Sequence, residues 1–400
     1  MRMTISTTKV LLAAAMMAMG SAAYAQEPAS ITVLDNMTGD DGITYQPVVQ
    51  AVSPNHRYVA GPAFSMETGL MGMFVYDLET GDYAVKPERD EYGADIREVN
   101  NDGVATGYNL QACLFSIDGT VDYIEDEDGI ITQARDASDD LSVVVGCTYR
   151  AEDYITTACV WKDGVKTNLP IPTDEELGFE TNGSVAYYTN SDGSVIAGYV
   201  VDNYSTNPLL IWRLQDDGTY VCDPVCTKYF SPMGAVEGRP YVMFSPQGLS
   251  RNGRYVSLNL MMSSEDMMFS EQHIGRLNLE TGELETYRAD GEGDIAANAE
   301  MQATQVSDNG TILGWALAGT WAMQQRSAII WQKDKTPMIL ANLVPNITEM
   351  PSWDAVGFNT AIDITPDGRY IAGFAQDETY NYKGYLLDIG AVAAAVEAVK

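Results

Sequence analysis

Short apolar runs, each bounded by polar turn residues, recur along most of the chain. One pattern occurs seven times: a small polar residue, a turn, two or three apolar residues and usually a glycine. We call it the turn phrase. Its copies are SPNHRYVAG (53–61), NNDGVATG (100–107), SDDLSVVVG (138–146), NSDGSVIAG (190–198), SRNGRYVSL (250–258), SDNGTILG (307–314) and TPDGRYIAG (365–373). Self-similarity of this kind indicates a repeat fold.

A second apolar segment follows each turn phrase and ends in another turn. Examples are Phe74-Val75-Tyr76 before DLETG and Val160-Trp161 before KDG. Asp-Gly and Thr-Gly steps between short apolar runs are hairpin signals, because glycine accepts the positive φ that such turns need. The ends of successive turn phrases lie 39 to 60 residues apart, a spacing that suits a blade of four strands.

The pattern predicts an all-β fold, a seven-bladed β-propeller. The last copy has no outer strand after 386–390, whereas an unpaired strand candidate, 31–35, precedes the first copy. We expect this N-terminal strand to complete the last blade and close the ring, which removes both open sheet edges. The alternative is that 31–35 is only an N-terminal arm.

The turn phrases resemble two known kinds of repeat. The segment from DDLSVVVG to CVWKDG is similar to HAF-type extracellular repeats, and TPDGRYIAG and SPNHRYVAG resemble the SPDG-type repeats of TolB-like propellers. The resemblance covers residues 50 to 390. It implies a propeller fold rather than an activity, so no functional residue is carried over from it.

The first residues have the order of a secretory signal peptide. Arg2 and Lys9 precede the apolar run 10–19, which is followed by Ala23 and Ala25. The apolar run is too short to span a bilayer, so we expect no membrane insertion. We expect an exported protein, periplasmic or extracellular, with these parts: a signal peptide (1–25), the propeller (26–390) and a C-terminal tail (391–400).

Charge restricts the classes of partner. The net charge of -33 repels nucleic acid and anionic lipid, so neither is an expected partner. We expect a monomer that binds a protein or a glycan. Acidic clusters at Asp40-Asp41, at 125–128 and at Asp290 with Glu292 and Asp294 leave calcium open as a ligand, although solvated turns explain them better. No other cofactor and no metal site is predicted.

Export permits disulfides among the five cysteines. Alignment of the repeats sets Cys147 opposite Cys159 on neighbouring strands, and Cys222 and Cys226 are close enough in sequence to bridge locally. Cys113 is then left over. The alternative is that all five are reduced and buried as small apolar side chains.

Catalytic chemistry is left open, and no catalytic residue is assigned. The chain has two histidines, His56 and His273, and His56 stands where other turn phrases have glycine, so it is interpreted as a turn residue. Paired channel carboxylates could hydrolyse glycosides, but 56 acidic residues make some close pair inevitable.

Non-repeated aromatic residues on long connections are the candidate binding residues. We predict a ligand-binding face formed by Tyr229, Tyr241, Trp321 and Trp353. These loops could instead only cover neighbouring blades. The function predicted from the sequence is therefore an exported binding or scaffold module. Its alternatives are a secreted carbohydrate-active hydrolase and an envelope protein that binds only other proteins.

Overall fold

The fold is known from a computed structural model of the chain. The structure describes residues 29–390 with internal gaps, and all that follows concerns these residues. The gaps are 89–93, 125–129, 151–154, 204–205, 232–239, 264–269, 292–294, 319–324, 334, 344–359 and 377–380. The predicted signal peptide and C-terminal tail, 1–25 and 391–400, lie outside the described residues.

The described strands pair into seven antiparallel units of four strands, consistent with seven blades, and one parallel bridge between Thr156 and Gly183 joins the third and fourth units. Blade 1 contains β4 (Ala51–Val52), β5 (Tyr58–Phe64), β6 (Met71–Asp77) and β7 (Tyr83–Pro87), extended by β2 (Met37–Thr38) and β3 (Thr44–Pro47). Blade 2 contains β8 (Ala94–Val99), β9 (Val104–Asn109), β10 (Gln111–Ser116) and β11 (Val121–Tyr123). Blade 3 contains β12 (Ile130–Ala137), β13 (Val143–Arg150), β14 (Thr156–Lys162) and β15 (Val165–Asn168).

The remaining four units continue in chain order. Blade 4 contains β16 (Thr181–Thr189), β17 (Val195–Asp202), β18 (Leu209–Leu214) and β19 (Tyr220–Asp223). Blade 5 contains β20 (Tyr241–Leu249), β21 (Tyr255–Ser263), β22 (Ser270–Asn278) and β23 (Leu284–Tyr287). Blade 6 contains β24 (Glu300–Val306), β25 (Ile312–Ala318), β26 (Gln325–Trp331) and β27 (Met338–Ile339), and blade 7 contains β28 (Thr360–Ile364), β29 (Tyr370–Gln376), β30 (Tyr382–Asp388) and β1 (Ser30–Val33).

Helices are few and short in the described chain. They are α1 (Asp174–Leu177), a 3-10 helix (Val225–Lys228) and α2 (Leu340–Leu343). None of them has the length and apolar character that crossing a bilayer requires.

The first strand of the chain completes the last blade. β1 pairs antiparallel with β30, and Ile31 lies opposite Leu387. Ile31 is buried in a cluster with Tyr385 and Ile389. The predicted ring closure is confirmed.

The turn phrase forces one backbone conformation in all seven units. Its fourth residue has a positive φ every time, between 54° and 82°, at the positions His56, Gly103, Leu141, Gly193, Gly253, Gly310 and Gly368. Glycine adopts this left-handed conformation without strain, which explains why it recurs there. The interpretation of His56 as a turn residue is confirmed.

Neighbouring turns are linked around the whole ring. Between blades 1 and 2 the backbone N–H of Asn55 donates to Oδ1 of Asn101 at 2.8 Å. Between blades 7 and 1 the ring of His56 stacks on that of Tyr370, with centroids 3.9 Å apart. Hydrogen bonds join the other turns, with these partners: Asn100 and Asp139, Asp139 and Ser191, Ser191 and Arg251, Asn252 and Asp308, and Asn309 and Asp367.

The glycine that ends six of the seven turn phrases makes room for a bulge in the first strand of the same blade. A Cβ atom on Gly146 would lie 1.9 Å from the carbonyl oxygen of Gln133, and one on Gly314 would lie 2.1 Å from that of Gln302. In both blades the pairing register shifts directly after this contact. Glycine is required there by close backbone approach rather than by a turn.

The structure corrects the predicted cysteine pairs. Cys147 on β13 lies opposite Ala158, the residue before Cys159. Because successive side chains of a strand point to opposite faces, this offset of one residue sends the two sulfur atoms to opposite sides of the sheet. Cys222 and Cys226 form no disulfide either.

Candidate functional site

The bulges turn one side chain per blade toward the axis of the ring. In each of blades 2 to 7 the register of the first strand shifts three residues before the turn phrase, and blade 1 has the irregularity at Gln50. A cavity of about 210 Å³ lies between these strands. Its walls are formed only by bulge residues and the residues that follow them: Gln50, Arg97, Glu98, Arg135, Asp136, Tyr187, Tyr188, Gln247, Thr304, Gln305, Ile362 and Asp363. We call this cavity the channel.

Two arginines on neighbouring blades form a cationic patch in the channel. Arg97 forms an ion pair with Asp95 at 2.5 Å. The guanidinium of Arg135 lies 5.1 Å from the ring centre of Tyr187 and 5.4 Å from that of Tyr108. The Nε atoms of both arginines are buried and have no hydrogen-bond partner among the described residues. The patch therefore contains two oriented donors that are not used within it.

The electrostatics of the patch keep both arginines charged. Burial opposes the charge of Arg97, but the carboxylate of Asp95 and the neighbouring tyrosines together outweigh burial and raise the pKa of this guanidinium. The pKa of Arg135 is also raised, against the cost of burial, by neighbouring groups that include Tyr187. Burial raises the pKa of Tyr199, which lies beside Tyr187, to about 12, so its hydroxyl stays neutral.

The opposite end of the channel is acidic and closed by an arginine. Arg251, from the turn between β20 and β21, reaches the main-chain oxygens of Ala137 at 3.1 Å and Thr189 at 3.3 Å. It also forms ion pairs with Asp136, at 3.3 Å, and with Asp139. This side chain ties blade 5 to blades 3 and 4, and the space left beside it is only about 20 Å³.

Two of the channel acids have the same structural role in different blades. Asp136 accepts hydrogen bonds from the backbone N–H groups of Ala137 and, in the next blade, Thr189. Asp363 accepts them from Ile364 and, across the ring closure, from Val52. Each carboxylate therefore joins adjacent blades.

Burial shifts the titration of the channel acids. It raises the pKa of Asp136 and of Asp363 from 3.8 to about 6, although their hydrogen bonds and Arg251 oppose the change. Burial also raises the pKa of Glu98 well above its usual range, and the neighbouring Asp136 and Asp363 add to this effect. Near neutral pH the acidic end thus carries less negative charge than three ordinary carboxylates.

The structure does not bring the two described aromatic candidates, Tyr229 and Tyr241, to the channel. Tyr229 stacks on Phe244 at 5.3 Å and donates to the main-chain oxygen of Gly282. Tyr241 is buried in the same cluster. Trp321 and Trp353 lie outside the described residues. The binding role of these four residues stays a prediction.

The predicted acidic clusters lie partly outside the described chain. Residues 125–128 and 292–294 fall in gaps. Asp41 accepts from the backbone of Ile43 and from the hydroxyl of Tyr45, so it stabilises a local turn. No cluster of metal-binding side chains is found among the described residues, and calcium binding stays a prediction.

Sequence reasoning missed the channel arginines. A signal for them exists: when the seven turn phrases are aligned, the bulge residue always stands three positions before the initial Ser, Asn or Thr. Charged or aromatic residues occupy this column in blades 2, 3 and 4, as Arg97, Arg135 and Tyr187. Extending the alignment upstream would have found the patch.

Comparisons with known proteins establish the fold alone. No protein-family model matches the chain, and no curated protein matches it. An oligogalacturonate lyase from Vibrio parahaemolyticus has a similar structure, with a TM-score of 0.53 and 11% identity, over 90% of this chain and 98% of that chain. The β-propeller domain of the Trilobed protease from Pyrococcus furiosus gives a TM-score of 0.48 and 9% identity, over 84% and 94%. The chain is a β-propeller, and its resemblance to HAF-type repeats stays a prediction.

Proposed function

We propose that this protein is an exported binding or scaffold propeller that holds an anionic group of a protein or glycan ligand in its channel. One observation supports this proposal above the others. Arg97 and Arg135 converge on a cavity with room for a small group, and among the described residues only one carboxylate, that of Asp95, forms an ion pair with either guanidinium. An anionic group supplied by a ligand would pair with the guanidinium that has no carboxylate.

Charge balance supports a single anion. The patch contains two guanidinium groups and one carboxylate, that of Asp95. A second carboxylate, supplied by a ligand, would neutralise it. Planar guanidinium groups bind carboxylates through paired hydrogen bonds, so a carboxylate-bearing group fits this geometry.

The shape of the channel limits how such a ligand could bind. Among the described residues, Arg251 narrows the acidic end to a space of about 20 Å³, so the end that carries Arg97 and Arg135 is the wider entrance for a ligand. A channel narrowed at one end favours a chain terminus or a side group over a threaded polymer. Tyr108 and Tyr187 beside the arginines would add apolar contact with the ligand.

Calorimetry with matched pairs of small probes tests the proposal. The probes are glucuronate against glucose, and N-acetyl-aspartate amide against N-acetyl-asparagine amide. We expect at least one acid to bind and its neutral counterpart not to bind. A hydrogen bond to a charged group contributes about 1.5–3 kcal/mol, so Arg97→Gln and Arg135→Gln should each weaken binding about 10- to 100-fold.

Two further variants act as controls. Arg135→Lys keeps the charge but loses the planar fork, and it should bind more weakly than the wild type. Arg254→Gln removes an arginine that pairs with Glu280 outside the channel, and it should change nothing. The proposal fails if neither acid binds, or if both glutamine variants bind as the wild type does.

A carbohydrate-active hydrolase is the second candidate, because Glu98 has the raised pKa that a general acid requires. Asp136 and Asp363 already accept hydrogen bonds from backbone N–H groups, so we assign them a structural role rather than a catalytic one. Release of reducing sugar ends from acidic polysaccharides, lost in Glu98→Gln, would favour the hydrolase. Absence of release from a panel of such substrates would leave binding as the function.

A further inference from the structure

A second and larger cavity lies beside the channel, between blades 1 and 7, with one lining residue, Arg326, from blade 6. Its volume is about 540 Å³. Gln50 contributes to both cavities, so the second one adjoins the channel. We call it the side cleft. The described residues that line it are Val48, Gln50, Pro62, Phe64, Met71, Arg326, Thr360, Phe374 and Tyr382.

The base of the side cleft is aromatic and held in place. The ring of Tyr382 packs edge-on against Phe64, with centroids 6.1 Å apart, and against Phe374, at 5.8 Å. The side chain of Gln46 in blade 1 accepts from the backbone N–H of Tyr382 and donates to Asn381 in blade 7. These bonds fix the two walls relative to each other.

The hairpin that carries Met71, a residue of the side-cleft lining, is unusually apolar for a protein surface. Met66, Leu70 and Met71 of the hairpin between β5 and β6 are 49%, 38% and 36% exposed. They are three of the seven exposed large apolar side chains among the described residues. Such concentration at one hairpin marks a contact surface, whereas single exposed apolar residues need no explanation. Methionine side chains adapt well to the shape of a partner.

One cation accompanies this apolar surface. Arg326 is the only charged side chain among the described residues that line the side cleft. Its guanidinium lies 4.1 Å from the ring centre of Trp315, which orients it. No salt bridge involves it within the described part of the chain. Arg326 is therefore the group of the side cleft that can pair with an acidic group of a partner.

We propose that the side cleft is a peptide-binding site, distinct from the channel, for a segment with a large apolar side chain next to a carboxylate. The apolar side chain would occupy the space between Phe64, Phe374 and Met71, and the carboxylate would pair with Arg326. A glycan fits less well. Sugars need flat aromatic platforms and several hydrogen-bonding groups, whereas these rings pack edge to face and most of the lining is apolar.

Fluorescence anisotropy with a labelled peptide tests the assignment. The probe is the peptide fluorescein-Gly-Leu-Phe-Asp-Gly amide, and the full-length protein is titrated into it. Two matched peptides replace the Phe by Ser or the Asp by Asn. We expect saturable binding of the first peptide and binding about tenfold weaker for each of the other two, because each lacks one of the two proposed contacts.

Surface variants keep the fold intact while they change the site. Met71→Glu and Arg326→Glu alter exposed side chains, and each should weaken binding of the first peptide about tenfold or more. Val165→Glu, at a residue 67% exposed in blade 3, places the same charge far from the cleft and should have no effect. Arg135→Gln should also have no effect, which separates this site from the channel.

Three results would overturn the assignment. The first is that the wild type does not bind the first peptide. The second is that the three peptides bind equally well. The third is that Met71→Glu and Arg326→Glu bind the first peptide as strongly as the wild type does. Binding of an oligosaccharide that Met71→Glu abolishes, without any peptide binding, would identify the cleft as a glycan site and also reject the proposal.

Discussion

At the residue scale, the buried side chain of Asp363 destabilises the folded protein when it carries its negative charge. Burial raises its pKa from 3.8 to about 6. The folded state therefore holds this proton more tightly than the unfolded state does. The resulting stabilisation is fully present below about pH 4 and is lost as the pH rises through about 6.

Replacing the carboxyl group by an amide should remove this pH dependence. We expect the stability of Asp363→Asn, relative to the wild type, to increase between pH 4 and pH 7.5. A shift of about two pKa units corresponds to an upper limit of about 3 kcal/mol. Urea unfolding at both pH values measures the difference, and Asp216→Asn, at an exposed position, is the control. A difference that does not change with pH would contradict the argument.

Single residues also show which structural features the sequence predicts and which it does not. The left-handed turn at His56 was predictable, because the first four positions of the seven turn phrases align and glycine occupies the fourth position in five of them. The faces of the sheet on which Cys147 and Cys159 lie were not predictable. Their register depends on the hairpin between β13 and β14, and one residue more or less in that loop moves a side chain to the other face.

At the element scale, the glycines that face the bulges should tolerate no side chain. In Gly146→Ala the new Cβ would meet the carbonyl oxygen of Gln133 at 1.9 Å, so the two strands must separate or the bulge must shift. We expect a loss of about 2–4 kcal/mol in the free energy of unfolding. Urea denaturation with tryptophan fluorescence measures it.

A glycine in open space provides the comparison. A Cβ on Gly119 would have no atom within 4 Å, and only its φ of 87° opposes the change. Gly119→Ala should therefore cost about 1 kcal/mol. Equal losses in the two alanine variants would show that the bulge is not what requires glycine at 146.

The bulges were the structural feature that the sequence did not predict. The turn phrase marks where each hairpin turns, and from it the strands, the blades and the ring closure could be predicted. A bulge adds one residue to a strand without a turn signal of its own. The side chains that line the channel were therefore not identified, although the fold that holds them was.

At the scale of the whole molecule, stability should depend on the pairing of β1 with β30. Ile31→Asp places a charge in the cluster with Tyr385 and Leu387 and should cost about 3 kcal/mol or more. Thr32→Ser, at the next residue, should have little effect. Thermal unfolding compares the two variants. Unchanged stability in Ile31→Asp would mean that the pairing of β1 with β30 does not stabilise the protein.

Export is the second prediction at this scale. If residues 1–25 form a signal peptide, the mature chain begins at Gln26. Intact mass spectrometry of the protein from the periplasm and from the medium should find the chain 26–400. Recovery of only the full-length chain from the cytoplasm would reject export.

Ring closure also has a consequence for the rate of folding. Ile31 and Leu387 are separated by 356 positions in the sequence, yet they lie opposite each other. Contacts this distant form slowly, because the whole intervening chain must be ordered before they are gained. During synthesis the first strand emerges early and has to wait for its partner until the seventh blade exists. We therefore expect refolding from urea to be slow, with the exposed edge of β30 as the point where incompletely folded chains associate.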